Sequence, residues 1–178
     1  NYRLRSNVQT RLVDGTKPAT PKALFQKLSE LEILYKTVFH EPLFTVEEAQ
    51  ATRTNVTGGF TKNLFLKNKK GEMWLLVCQE GHRLNLKTVA KDLKSNRLSF
   101  GSPNRLMQFL GVLPGAVTPF SAINDRQSQV LFVLDRSLLK FSELNFHPLD
   151  NTMTTRISTQ DLLRFLEYTD HSPQFIDL

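Results

Sequence analysis

The chain has 178 residues, 40% of them hydrophobic and 22% charged, close to the globular average and enough to enclose one full core. It holds no apolar run of the ~18 residues a membrane span needs and no charged-then-apolar leader, so neither a span nor secretion is expected. The single cysteine, Cys78, excludes an internal disulfide and a cysteine-rich zinc site, which fits a reducing, cytoplasmic location.

The net charge of +6 is unevenly spread. Arg3, Arg5, Arg11, Lys17 and Lys22 face only Asp14 in residues 1–22. From 83 to 105, Arg83, Lys87, Lys91, Lys94, Arg97 and Arg105 face only Asp92, a patch that suits either a polyanion such as RNA or a solvated helix face.

Residues 1–19 lack apolar periodicity and include Asp14-Gly15 and Lys17-Pro18, which predicts a flexible N-terminal extension before a folded domain over 20–178. Thr20 and Pro21 then start a helix with Leu24, Leu28 and Leu31 as its apolar stripe, running to near Leu34. Tyr35 to His40 reads as a strand broken by Glu41-Pro42, and Thr45 with Glu48 opens a short helix to about Ala51. The glycine pair Gly58-Gly59 lets backbone approach a ligand, and it leads into a strand carrying Lys62, Asn63 and the apolar Leu64 to Leu66. Asn68 to Gly71 has turn composition, so this strand and Glu72 to Cys78 form a hairpin.

Further helices are expected from Leu86 to about Leu93 and from Ser102-Pro103 to a left-handed cap at Gly111, with Arg97 to Phe100 extended between them. Two glycines and two prolines in residues 111–120 make a shaped loop, suited to a pocket wall or to a plain helix-to-strand link. Beyond it come a turn at Asn124-Asp125, a strand from Gln129 to Leu134, a short helix from Arg136 to Lys140 capped by Asp135, and an extended stretch from Phe141 to Phe146. A polar loop from His147 to Thr152, a strand from Met153 to Ile157, a helix capped by Ser158 with Asp161 and a last strand over Gln174 to Leu178 complete the chain. Interleaved short elements with adjacent strand pairs predict an α/β (α+β) fold, a single domain with a mixed, curved β-sheet and packed helices.

Much chemistry is excluded. His40, His82, His147 and His171 stand singly without metal-ligand spacing, and no nucleophile elbow, phosphate loop or dinucleotide fingerprint occurs. Cys78 ends an apolar strand and reads as core, and no pair of acids is placed for paired-carboxylate work. Lys62, Asn63, loop N–H groups and His147 remain, an inventory for catalysis by positioning and charge stabilisation that names no reaction by itself.

Four motifs narrow this: Gly-Gly-x-x-Lys-Asn-Leu-Phe-Leu at 58–66, Arg-Leu-Ser-Phe-Gly-Ser-Pro at 97–103, Gly-Val-Leu-Pro-Gly-x-Val-Thr-Pro-Phe at 111–120, and Asn-Phe-His-Pro-Leu-Asp-Asn-Thr-x-Thr at 145–154. In this order and spacing the chain, from about Thr20 to Leu178, resembles the free-standing prolyl-tRNA editing proteins (the ProX or PrdX group) of the YbaK/aminoacyl-tRNA deacylase superfamily. The resemblance implies a fold like the editing domain of prolyl-tRNA synthetase and hydrolysis, in trans, of mischarged tRNA(Pro), with alanyl-tRNA(Pro) as the substrate of the ProX branch. It implies Lys62 as the signature lysine, Asn63 as its neighbour, Gly111, Val112, Leu113, Pro114 and Gly115 as the pocket loop with Thr118 beyond, and His147 as the pocket histidine.

In those roles Lys62 would hold the terminal phosphate or ribose, and a Gly115 N–H would stabilise the oxyanion at the ester carbonyl. His147 would bind the amino group or hold a water. A size filter that admits alanine and rejects proline would lie at Phe60, Val112 and Leu113, because a few methylenes separate substrates by only about 1–3 kcal/mol each in a synthetase pocket. No cofactor and no metal are implied. The expected partners are the acceptor end of mischarged tRNA(Pro) and prolyl-tRNA synthetase, with no membrane and a monomer favoured. Two alternatives stay open: a cysteinyl-tRNA(Pro) deacylase, and a non-catalytic module that holds tRNA or a synthetase.

Overall fold

The computed structural model describes residues 9–42, 47, 53 and 56–178. Helix α1 covers Pro21–Glu30: the Thr20 hydroxyl accepts from Ala23 N–H, and Pro21 sits in the first turn, where its missing N–H has no partner to lose. The expected run to Leu34 is cut short. Glu32 takes a left-handed φ of 56°, and Ile33 N–H turns back to Leu28 O, so the apolar side chain of Ile33 enters the core from outside the helix. Of the helix expected over 45–51, only Glu47 is among the described residues, and it is helical.

The strands are β1 (Tyr35–Phe39), β2 (Gly59–Lys67), β3 (Met73–Gln79), β4 (Ser99–Phe100), β5 (Val130–Asp135), β6 (Glu143–Phe146), β7 (Met153–Ser158) and β8 (Gln174–Ile176). Helices α2 (Leu86–Asp92), α3 (Pro103–Leu110) and α4 (Thr159–Tyr168) join α1, with 3-10 turns at Pro119–Asn124 and Arg136–Lys140. The sheet runs β1-β7-β6-β2-β3-β5-β8, and β4 pairs with the end of β2. Pairs β2/β6, β3/β5 and β5/β8 are parallel and the others antiparallel, so the sheet is mixed, as expected.

Side chains alternate between the two faces of each strand, and each face has its own cover. Phe65, Leu75, Val77, Leu134 and Leu144 meet Leu24 and Leu28 of α1, Leu106 and Leu110 of α3 and Phe165 of α4. Leu66, Trp74, Leu76 and Val133 meet Val89 and Ala90 of α2 together with Leu98. Covered on both sides, β3 is an unbroken apolar run from Met73 to Cys78. The first half of β2 escapes this double cover, and that is where its polar residues stand.

Within the stretch expected to be a flexible extension, residues 9–19 lie against α3 and the turn that follows it: Leu12 is 4% exposed, Val13 N–H donates to Gln108 O (2.8 Å), and Ala19 N–H donates to Asn124 Oδ1 (2.8 Å). Short-range sequence signals carry no trace of partners this distant. Among the described residues, no helix is long and apolar enough to cross a membrane.

Candidate functional site

The glycine pair that opens β2 serves packing. A Cβ on Gly59 would lie 2.8 Å from the Phe141 ring, and one on Gly58, which has φ +91°, would lie 3.0 Å from Asn145 Nδ2. The room expected for a ligand is therefore filled by the protein itself, which lets β6 lie close along β2.

From there β2 alternates. Phe60 and Lys62 turn to the face that farther along carries Leu66, and Asn63 turns to the face that carries Phe65. Lys62 Nζ donates to His82 O (2.5 Å), so its ammonium is held at the turn that follows β3. Phe60 lies under the Arg53 guanidinium, 3.6 Å from ring centroid to Cζ, a cation–π stack. Arg53 in turn grips Glu80 with two prongs, Nη1 to Oε1 at 2.9 Å and Nη2 to Oε2 at 2.5 Å, and Glu80 N–H donates to Phe60 O. These contacts fix the ring and the ion pair as one unit.

At the end of β6, His147 Nδ1–H donates to Met153 O (2.8 Å), which leaves Nε2 as an acceptor. Burial holds the His147 imidazole below the ordinary histidine value, and nearby His40 and Arg53 push the same way against the bond to Met153. The ring is therefore neutral at pH 7. His40 stands edge-on to it, centroids 6.1 Å apart, with its own Nε2 hydrogen-bonded to the Thr154 hydroxyl.

Two buried amide oxygens, Asn63 Oδ1 and Asn145 Oδ1, have no partner within the described residues. Asn145 cannot be turned to relieve this, because its Nδ2 donates to Thr57 O and Gly59 O. Buried acceptors left open in this way suit a ligand that brings N–H or O–H groups. Asn145 also lines a cavity of about 40 Å³ with Thr154 and Arg156.

The loop after α3 is built on the side of the sheet that carries α1, α3 and α4. Gly111 caps α3 with φ 66°, Val112 and Ala116 enter the core, and the buried Thr118 hydroxyl accepts from Phe120 N–H. Gly111, Val112 and Thr118 thus have structural duties, while Leu113, Pro114 and Gly115 form an exposed tip closed by Ala116 N–H donating to Leu113 O. Cys78 is buried, and burial raises its thiol to about 11, so it is no nucleophile at neutral pH.

Phe60 and Lys62 thus share a face, and the charges of Arg53 and His40 reach His147. Asn63 goes with the side that takes the base of the loop. Sequence reasoning missed Arg53, Glu80, His40 and Asn145. Asn145 was within reach as the first residue of the fourth motif, whereas Arg53 and Glu80 are 27 positions apart and carry no local signal.

Residues 40–165 match the family model of the aminoacyl-tRNA editing domain. Over 158 residues the chain is 34% identical to the prolyl-tRNA editing protein ProX of Acetoanaerobium sticklandii, covering 88% of this chain and 96% of that protein. It is 36% identical over 154 residues to prolyl-tRNA synthetase associated domain-containing protein 1 of Danio rerio, covering 85% and 84%. A crystal structure described as a candidate trans-editing enzyme for prolyl tRNA synthetase superposes with TM-score 0.68 at 20% identity over 90% of this chain and 97% of the other, a likeness of fold.

Proposed function

The chain belongs to the aminoacyl-tRNA editing domain family, and on that premise we propose that it is a trans-editing hydrolase of mischarged tRNA(Pro), with alanyl-tRNA(Pro) as its substrate. The observation that carries this reading is the Lys62 ammonium held at the turn after β3 together with a neutral, buried His147; the open amide acceptors of Asn63 and Asn145 and a cysteine withheld as a nucleophile support it.

The reaction needs no covalent intermediate. Lys62 exchanges the His82 carbonyl for the phosphate or ribose of the acceptor end and so anchors the ester. His147 Nε2 accepts from the substrate's amino group or from water, and Asn63 Oδ1 takes a further donor. The oxyanion donor in this reading is the N–H of Gly115 at the exposed loop tip, a choice supported by the neighbouring Ala116 N–H being engaged within its own turn. Water, oriented by the free ribose hydroxyl, adds to the ester carbonyl, and the tetrahedral adduct expels the other ribose oxygen to give alanine and free tRNA. Phe60, held by Arg53, and the exposed Leu113 act as the size filter, with Val112 behind them. The protein works as a cytoplasmic monomer downstream of prolyl-tRNA synthetase.

The test offers alanyl-, cysteinyl- and prolyl-tRNA(Pro) to the purified protein and to Lys62→Ala, and follows the fraction still esterified. Selective loss of the alanyl ester, reduced at least about 10²-fold by the substitution with the fold intact, is the expected result. Survival of all three esters while tRNA is still bound would establish the non-catalytic binding module instead.

A further inference from the structure

We propose that the groove between α2 and residues 95–98 seats the phosphate backbone of the acceptor stem, the duplex end of the RNA whose ester the site cleaves; this rests on the editing reading. The groove has a volume of about 800 Å³, with Leu86, Ala90 and Leu98 as its floor and Lys87, Lys91 and Arg97 on its wall. All three cations are exposed, and none of the ion pairs among the described residues involves them.

Lys87 and Lys91 are one helical turn apart, where like charges repel by a few tenths of a kcal/mol. Lys94 adds a fourth exposed cation next to them, and Asp92 is the only acid in the span 83–105. A polyanion laid in the groove relieves that repulsion and releases its own counterions.

Position decides which polyanion. Lys62 shares its face of β2 with Leu64 and Leu66, which pack with the α2 cluster, and its ammonium is bonded to His82 O, three residues before Asn85 at the groove's edge. A strand whose 3′ end is held at Lys62 therefore leaves the site past α2. A duplex of RNA is met through its backbone and 2′-hydroxyls rather than its bases, which suits lysines on an apolar floor.

The experiment compares the full chain with the double variant Lys87→Glu and Lys91→Glu, and with Lys17→Glu and Lys22→Glu as an equal charge change on the other side of the molecule. Binding of uncharged tRNA(Pro) is measured across salt concentrations, and hydrolysis is measured on alanyl-tRNA(Pro) and on an alanyl ester of a short single-stranded acceptor end. The groove variant is expected to bind tRNA about tenfold more weakly, with a salt slope shallower by about one per lysine, and the control to match the wild type. KM for the charged tRNA should rise with kcat unchanged, and the short ester should be cleaved normally. Unchanged tRNA affinity and slope in the groove variant would overturn the proposal, even if the variant lost binding to an acidic protein probe such as polyglutamate. The binding arm needs no hydrolysis, so a wild type that cleaves no ester would sink the editing reading while this proposal was still decided.

Discussion

His147 shows how one buried bond sets a protonation state. Its Nδ1–H is committed to Met153 O, and burial disfavours the imidazolium, so the neutral ring offers Nε2 as an acceptor below the usual histidine range. The acid limb of kcat/KM is therefore expected below pH 6.5, and His147→Gln should lower kcat/KM about 10²-fold and remove that limb. A pH–rate profile checks both; activity that instead falls as pH rises through the histidine range would mean that the ring works as imidazolium. The sign of the linked stability is fixed too. The unfolded ring takes up its proton near its ordinary value while the folded ring resists, so this contribution is whole above pH 6.5 and fades as pH falls through the lowered value.

At the scale of elements, close packing rather than ligand access explains the glycines on either side of β2. A Cβ on Gly101 would lie 2.3 Å from Phe65 Cε2, a ring buried on the face that carries α1, α3 and α4, and Gly101 N–H donates to Phe65 O. Gly101→Ala must push that ring aside, so it should cost about 1–3 kcal/mol, read as a lower denaturant midpoint at unchanged slope. Its φ is not in the left-handed region, so the loss tests packing alone. Where the backbone answers to near neighbours, the sequence was readable: Ser102 and Gly111 bound α3, Asp135 caps the turn at Arg136–Lys140, and Ser158 caps α4. The length of α1 was not, because the pull of Ile33 into the core ended the helix against its own pattern.

For the whole molecule, Asn124 ties three distant segments into one body. Its Oδ1 accepts from Ala19 N–H, its Nδ2 donates to Leu110 O at the end of α3, and it closes the 3-10 turn Pro119–Asn124. Asn124→Ala leaves Leu110 O and Ala19 N–H without these partners, an expected loss of about 1–3 kcal/mol. Hydrogen exchange at Ala19 should speed up with it, and unchanged protection there would show that Leu12 alone holds the N-terminal segment.

By itself the sequence determined the caps, the hairpin, the mixed sheet with its helices and the family, because each depends on residue types a few positions apart or on motifs in fixed order. The tertiary structure alone decided which face each residue serves. It set Lys62 on the His82 carbonyl 20 positions away, Arg53 on Glu80 27 away and Asn145 on the Gly59 carbonyl 86 away. Hydrogen bonds and packing act through space, and only the order of strands in the folded sheet brings these partners within reach.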